Sequence, residues 1–168
     1  LLAEVYGKVG LAEEGLSALS EALTLMNKTG ERWFEAELYR LKGTLTLQEA
    51  NQKSKGKSQK SKVETNPQPL TPNSQGEVEQ EAEECFLKAI EIAQKQQAKS
   101  LELRAVMSLV RLWQQQATQP DSRTTQHEAH AKLAEAHHML AEVYNWFTEG
   151  FDTKDLQEAK MLIEALSH

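Results

Sequence analysis

The chain has 168 residues, a formal net charge of −6, 26% charged and 39% hydrophobic side chains, and few glycines and prolines. That length suits one domain with a sizeable core, and the acidic balance argues against general nucleic-acid binding. No run of about 18 apolar residues exists to span a membrane, and the single cysteine, Cys85, excludes an internal disulfide and fits a reducing cytoplasm.

Residues 1–9 trace a helical stripe through Leu1, Leu2, Val5, Tyr6 and Val9, with no initiator Met, capping residue or basic flank. The expectation is a chain that begins inside a helix, as a piece of a longer protein. Gly10 closes this helix. Ala12 to Lys28 forms the next, with Leu16, Leu19, Leu23 and Met26 on one face and Gly30 as its stop. A third runs from Arg32 to about Ala50. Residues 51–76 then hold almost no apolar side chains and three prolines, so they are expected to form a disordered loop.

The fourth helix spans about Glu77 to Gln97, with Ala82, Cys85, Phe86, Ala89, Ile90 and Ala93 on one face. The fifth runs from about Ser100 to Gln115. A second polar stretch, 117–126, precedes a sixth helix from about Glu128 to Phe147. A turn at 149–153 leads to the last, Lys154 to Leu166, with Asp152 or Thr153 as its cap and Asp155 in its first turn.

A small–large–small pattern recurs as Gly15, Leu19, Ala22; as Ala82, Phe86, Ala89; and as Ala136, Leu140, Val143. Ala3, Gly43 and Ser108 are the matching small residues of the preceding helices. The intervals Ala3–Gly15, Gly43–Ala82 and Ser108–Ala136 are 12, 39 and 28 residues. Both polar stretches therefore fall at one structural place, the turn inside a helix pair. Without them the unit repeats at about 40 residues, near the period of helical arrays. The string AELYRLKG at 36–43 lines up with LELRAVMS at 101–108.

These residues resemble tetratricopeptide repeats over about 1–148, with the last helix as a cap. The resemblance implies an all-α, right-handed superhelical array of antiparallel helix pairs, about three repeats in one domain. The family's first-helix Trp and Tyr positions become Tyr39 and Thr46, then Arg104 and Arg111, and its closing proline is missing. The strings LLAEVYGKVGLAEEGL, TGERWFEAELYRLKG, AEECFLKAIEIAQKQQAKSLELRA and LAEVYNWFTEGFDTKDLQEAK further resemble the C-terminal repeat region of multidomain bacterial signalling ATPases. Many of those carry a nucleotide cyclase or helix-turn-helix domain upstream. The resemblance implies an interaction or sensor module and places no ATPase or cyclase residue in this chain.

Catalytic motifs are nearly absent: there is no GxxxxGK[ST], GxGxxG or CxxC. No enzyme activity, cofactor or metal is expected. Cys85 sits on an apolar face and reads as structural. His127, His130, His137 and His138 share a helix or its lead-in, but lack convergent ligands from a second element. The lysines 53, 55, 57, 60 and 62 read as a solvated spacer, and the pairs Glu13/Glu14 and Glu83/Glu84 as solubilising faces. Partner binding is expected in a groove lined by the first helices, at Glu37, Arg40, Thr44 and Gln48, then Glu102, Ala105, Leu109 and Leu112. Trp33, Trp113, Trp146 and Phe147 are expected to pack in the core and between repeats. The occupant is a partner peptide or domain, possibly an upstream domain of the same chain. The alternative is a small-molecule effector.

Overall fold

A computed structural model of the chain describes residues 2–58, 73–118 and 126–167. These are all-helical, with no strand among them: α1 (Leu2–Lys8), α2 (Ala12–Thr29), α3 (Glu35–Ser58), α4 (Asn73–Lys95), α5 (Lys99–Thr118), α6 (Gln126–Trp146) and α7 (Lys154–Leu166). They fall into two compact units, divided within α4 between Cys85 and Phe86.

In the first unit, α1, α2 and α3 pack pairwise. α1 ends in a Schellman motif. Gly10 takes φ 79°, its N–H donates to Gly7 O at 3.2 Å, and the N–H of Leu11 donates to Tyr6 O at 2.9 Å. The core joins Ala12, Leu19 and Met26 of α2 to Leu38, Leu41 and Leu45 of α3, with Leu16, Ala22 and Leu23 at its margin. Gly15 marks the tightest approach. A Cβ there would lie 2.9 Å from Leu45 Cδ1 and 3.3 Å from Tyr6 Cβ, so a bare backbone lets three helices meet.

Two boundaries depart from the sequence expectation. α3 continues through residues 51–58, and α4 begins at Asn73, so both ends of the expected loop at 51–76 are helical. Lys and Gln are good helix formers, and a helix needs no apolar face to extend one already nucleated. Gln52 uses the extension: its Nε2 donates to Gly10 O at 2.8 Å, fastening α3 to the α1–α2 turn. Residues 59–72 lie outside the described residues. Similarly α5 runs on through 117–118, and most of the second stretch, 119–125, lies outside them.

In the second unit, α5, α6 and α7 pack pairwise. Phe86, Leu103, Val106, Leu109, Val110, Leu112, Trp113, Leu140 and Val143 are buried, with Leu156 and Ala159 from α7. The turn from α4 to α5 is a second Schellman motif. Gln97 N–H donates to Gln94 O at 3.0 Å and Ala98 N–H to Ala93 O at 2.9 Å. Gln97, not glycine, holds the left-handed position, at φ 55°. Thr153 is the N-cap residue of α7, but its Oγ1 donates backwards to Gly150 O at 2.7 Å and does not cap the helix.

Of the residues expected at close helix crossings, Gly15, Leu19, Gly43, Ala82, Phe86, Ala89, Ala136, Leu140 and Val143 are buried. Ala22 and Ser108 are half-buried, and the side chain of Ala3 lies outside the described residues. Among the described residues, no helix is long and apolar enough to cross a membrane.

Candidate functional site

The expected groove residues divide by burial. On α3, Arg40, Thr44 and Gln48 are half-buried and reachable, four residues apart along one face. Glu37 is not: it is 4% exposed. Its carboxylate is held by a bidentate Arg40, whose Nε and Nη2 donate at 2.8 and 2.7 Å. Thr44 Oγ1 donates to Arg40 O at 3.1 Å. Gln48 Oε1 is buried with no hydrogen-bond partner among the described residues.

On α5 the groove expectation fails. Glu102 is 2% exposed, and Ala105, Leu109 and Leu112 are also buried. The wide apolar stripe of α5 needs these three positions for packing, which leaves them no free face. Glu102 Oε2 lies 2.7 Å from Lys99 Nζ, and Gln94 Nε2 donates to Glu102 Oε1 at 3.0 Å. Glu37 and Glu102 occupy matching places in the aligned strings, so each unit buries one acid at the same helix position beside a base three residues away. The 37/40 and 99/102 spacings are the sequence signal for this, and treating acids as solvated hides it.

The neighbouring outer face of α5 carries Arg104 and Arg111. Arg104 Nε donates to Asp155 Oδ2 at 2.7 Å and Arg111 Nη2 to Glu158 Oε2 at 2.8 Å, both on α7. Two basic residues seven apart thus meet two acids three apart, on facing helices.

The aromatic residues correct a second expectation. Trp113 is buried, with Lys132 Nζ over its ring at 5.4 Å. Trp33, 82% exposed, and Trp146, 60% exposed, are not core residues, and Phe34 and Phe151 are exposed as well. Phe147 is half-buried. Each exposed Trp stands in or beside a turn, where the helical stripe no longer decides burial.

The remaining titratable candidates are dispersed. His127, His130 and His138 are exposed, and His137 Nε2 lies 3.3 Å from Ser167 Oγ. Lys53 pairs with Glu49 at 2.7 Å, and the other lysines of that run have side chains outside the described residues. Cys85 is buried. An open depression of about 430 Å³ is lined by Glu128, Ala131, Lys132 and Glu135, all on α6.

No protein-family model, curated protein or solved structure matches the chain. The reading of its function therefore rests on its own geometry.

Proposed function

We propose that the chain is a non-catalytic protein-interaction module, a tetratricopeptide-like helical array from the C-terminal part of a bacterial signalling protein. The observation that carries this reading is the packing order. In the first unit α3 rests on both members of the α1–α2 pair, and in the second α7 rests on both members of the α5–α6 pair. Each added helix covers the apolar face left by the pair before it, which is how repeat arrays extend. Conserving such a plan leaves the polar side of a first helix free for recognition. On α3 that side carries Arg40, Thr44 and Gln48, all half-buried, with the Oε1 end of Gln48 itself turned in against Gly7 of α1.

The proposed partner is a peptide or domain, upstream in the same protein or on another chain. Titration calorimetry of residues 1–168 with the parent protein's upstream domains tests it. Binding is expected, and Thr44→Arg should weaken it at least tenfold while leaving the melting temperature unchanged. Binding that is indifferent to Thr44→Arg and Gln48→Ala would overturn the assignment to α3.

A further inference from the structure

We propose that α7 is a displaceable helix, seated on a docking site of α5 and α6 that takes an acidic amphipathic helix of a partner protein in its place. Its hold is concentrated in one half. Leu156 and Ala159 are its buried side chains, and from Lys160 to Leu166 every side chain stays half-buried or exposed, with Met161 fully on the surface. Its two ion pairs to α5 lie in that same first half: Arg104–Asp155 at 2.7 Å and Arg111–Glu158 at 2.8 Å, with the four side chains 28–49% exposed. Water and salt screen such pairs. At the far end, Ser167 Oγ lies 3.3 Å from His137 Nε2 of α6. α5 and α6 pack directly on each other, so α7 can leave without opening that contact. A helix of 13 residues is marginal alone in water, so its release is a local unfolding.

The chemistry of the site selects the occupant. Arg104 and Arg111 are about 10 Å apart along α5, while Asp155 and Glu158 are about 4.5 Å apart along α7. The two arginine side chains therefore converge on acids within a single turn of the seated helix. Between the arginines, on the same face of α5, lies Met107, which is buried. α7 answers with DLQEA at 155–159, in which each acid is followed directly by one of the two buried apolar side chains. A partner helix with this pattern, two acids three apart and an apolar residue after each, meets the same guanidiniums and the same apolar floor. A basic helix would be repelled, and an uncharged one would leave both arginines without their acids. The tether gives α7 the advantage over a free helix, so a partner enters once α7 loses the pull of its own acids.

The test uses residues 1–168 and, as probe, a fluorescent peptide of residues 154–166 followed by anisotropy. Asp155→Lys with Glu158→Lys in the full chain should loosen α7 and raise affinity for the peptide at least tenfold over wild type. A peptide with Lys at both acidic positions should not bind that variant. Arg104→Glu with Arg111→Glu should reverse the preference, taking the Lys peptide and rejecting the acidic one. Equal binding of the two peptides, or no gain over wild type, would overturn the proposal. Hydrogen exchange of the wild-type chain needs no substitution to fold. Amides of α7 should open ahead of those of α5 and α6, and several-fold faster at high salt than at low salt. A common protection across all three helices, unmoved by salt, would overturn the proposal as well. Thr44→Arg should leave peptide binding intact, so this site and the α3 face stand or fall separately.

Discussion

Arg104 donates to Asp155 across 51 residues of sequence, and the bond ties the outer face of α5 to the first turn of α7. Both side chains keep more than a third of their surface in water, so screening limits its strength. Asp155→Ala should destabilise the chain by no more than about 1 kcal/mol. Denaturant melts at low and high salt check this. The loss should shrink at 0.5 M NaCl, and a loss that salt leaves untouched would mean that Asp155 contributes through packing and not through its charge.

The buried pair Glu37–Arg40 should behave oppositely. Arg40→Ala leaves a carboxylate inside without its counter-ion, with an expected loss of about 3 kcal/mol. Replacing both with Met should recover most of that loss, because two apolar side chains need no neutralising. Chemical denaturation of the single and double variants decides it.

Gln97 sits where a side chain is disfavoured, at φ 55°. Gln97→Gly should stabilise the chain by roughly 0.5–1 kcal/mol by relieving the left-handed strain. A fall in melting temperature would show that the Gln side chain contributes more than its backbone loses.

Lys42 is held above its ordinary value of 10.5, chiefly by its hydrogen bond to Glu81 at 3.1 Å. A raised folded-state value means the folded chain binds the proton more tightly than the unfolded one. The stabilisation is fully present below the ordinary lysine range and fades as pH rises through the higher folded value. Both side chains are more than a third exposed, so the effect is small. Urea melts from pH 8 to 12 should show wild type losing slightly more stability than Lys42→Met. Parallel curves would sink the assignment.

Ala89 is fully buried on α4. Ala89→Arg forces a long charged side chain into a space cut for a methyl group, and should abolish cooperative unfolding seen by circular dichroism. A retained sharp melt would mean the close crossing at Ala89 is not there.

Helix ends were legible where glycine marked them, as at Gly10 and Gly30, because a left-handed backbone leaves a signature in residue type. The end of α3 was not, because the polar run after Ala50 has little to bury, yet Lys and Gln continue a helix without burying anything. Of the α3 positions expected to line a groove, Arg40, Thr44 and Gln48 are half-buried, but Glu37 turns inward. On α5 the apolar stripe is wide enough to claim Ala105, Leu109 and Leu112. Exposure of Trp33 and Trp146 escaped a reading by residue type, because turns set it and periodicity does not reach them.

Glu37 and Glu102 each find their base on the same helix, three residues away. Their charge balance therefore moves with the helix that carries it. A segment holding such a pair can be duplicated, or set beside a different neighbour, without stranding a bare carboxylate in its new surroundings. An acid that borrowed its cation from the next helix would bind those two segments into a single inherited block. The pairing inside α3 and inside α5 makes each helix electrically portable, a property suited to chains that lengthen by copying their parts.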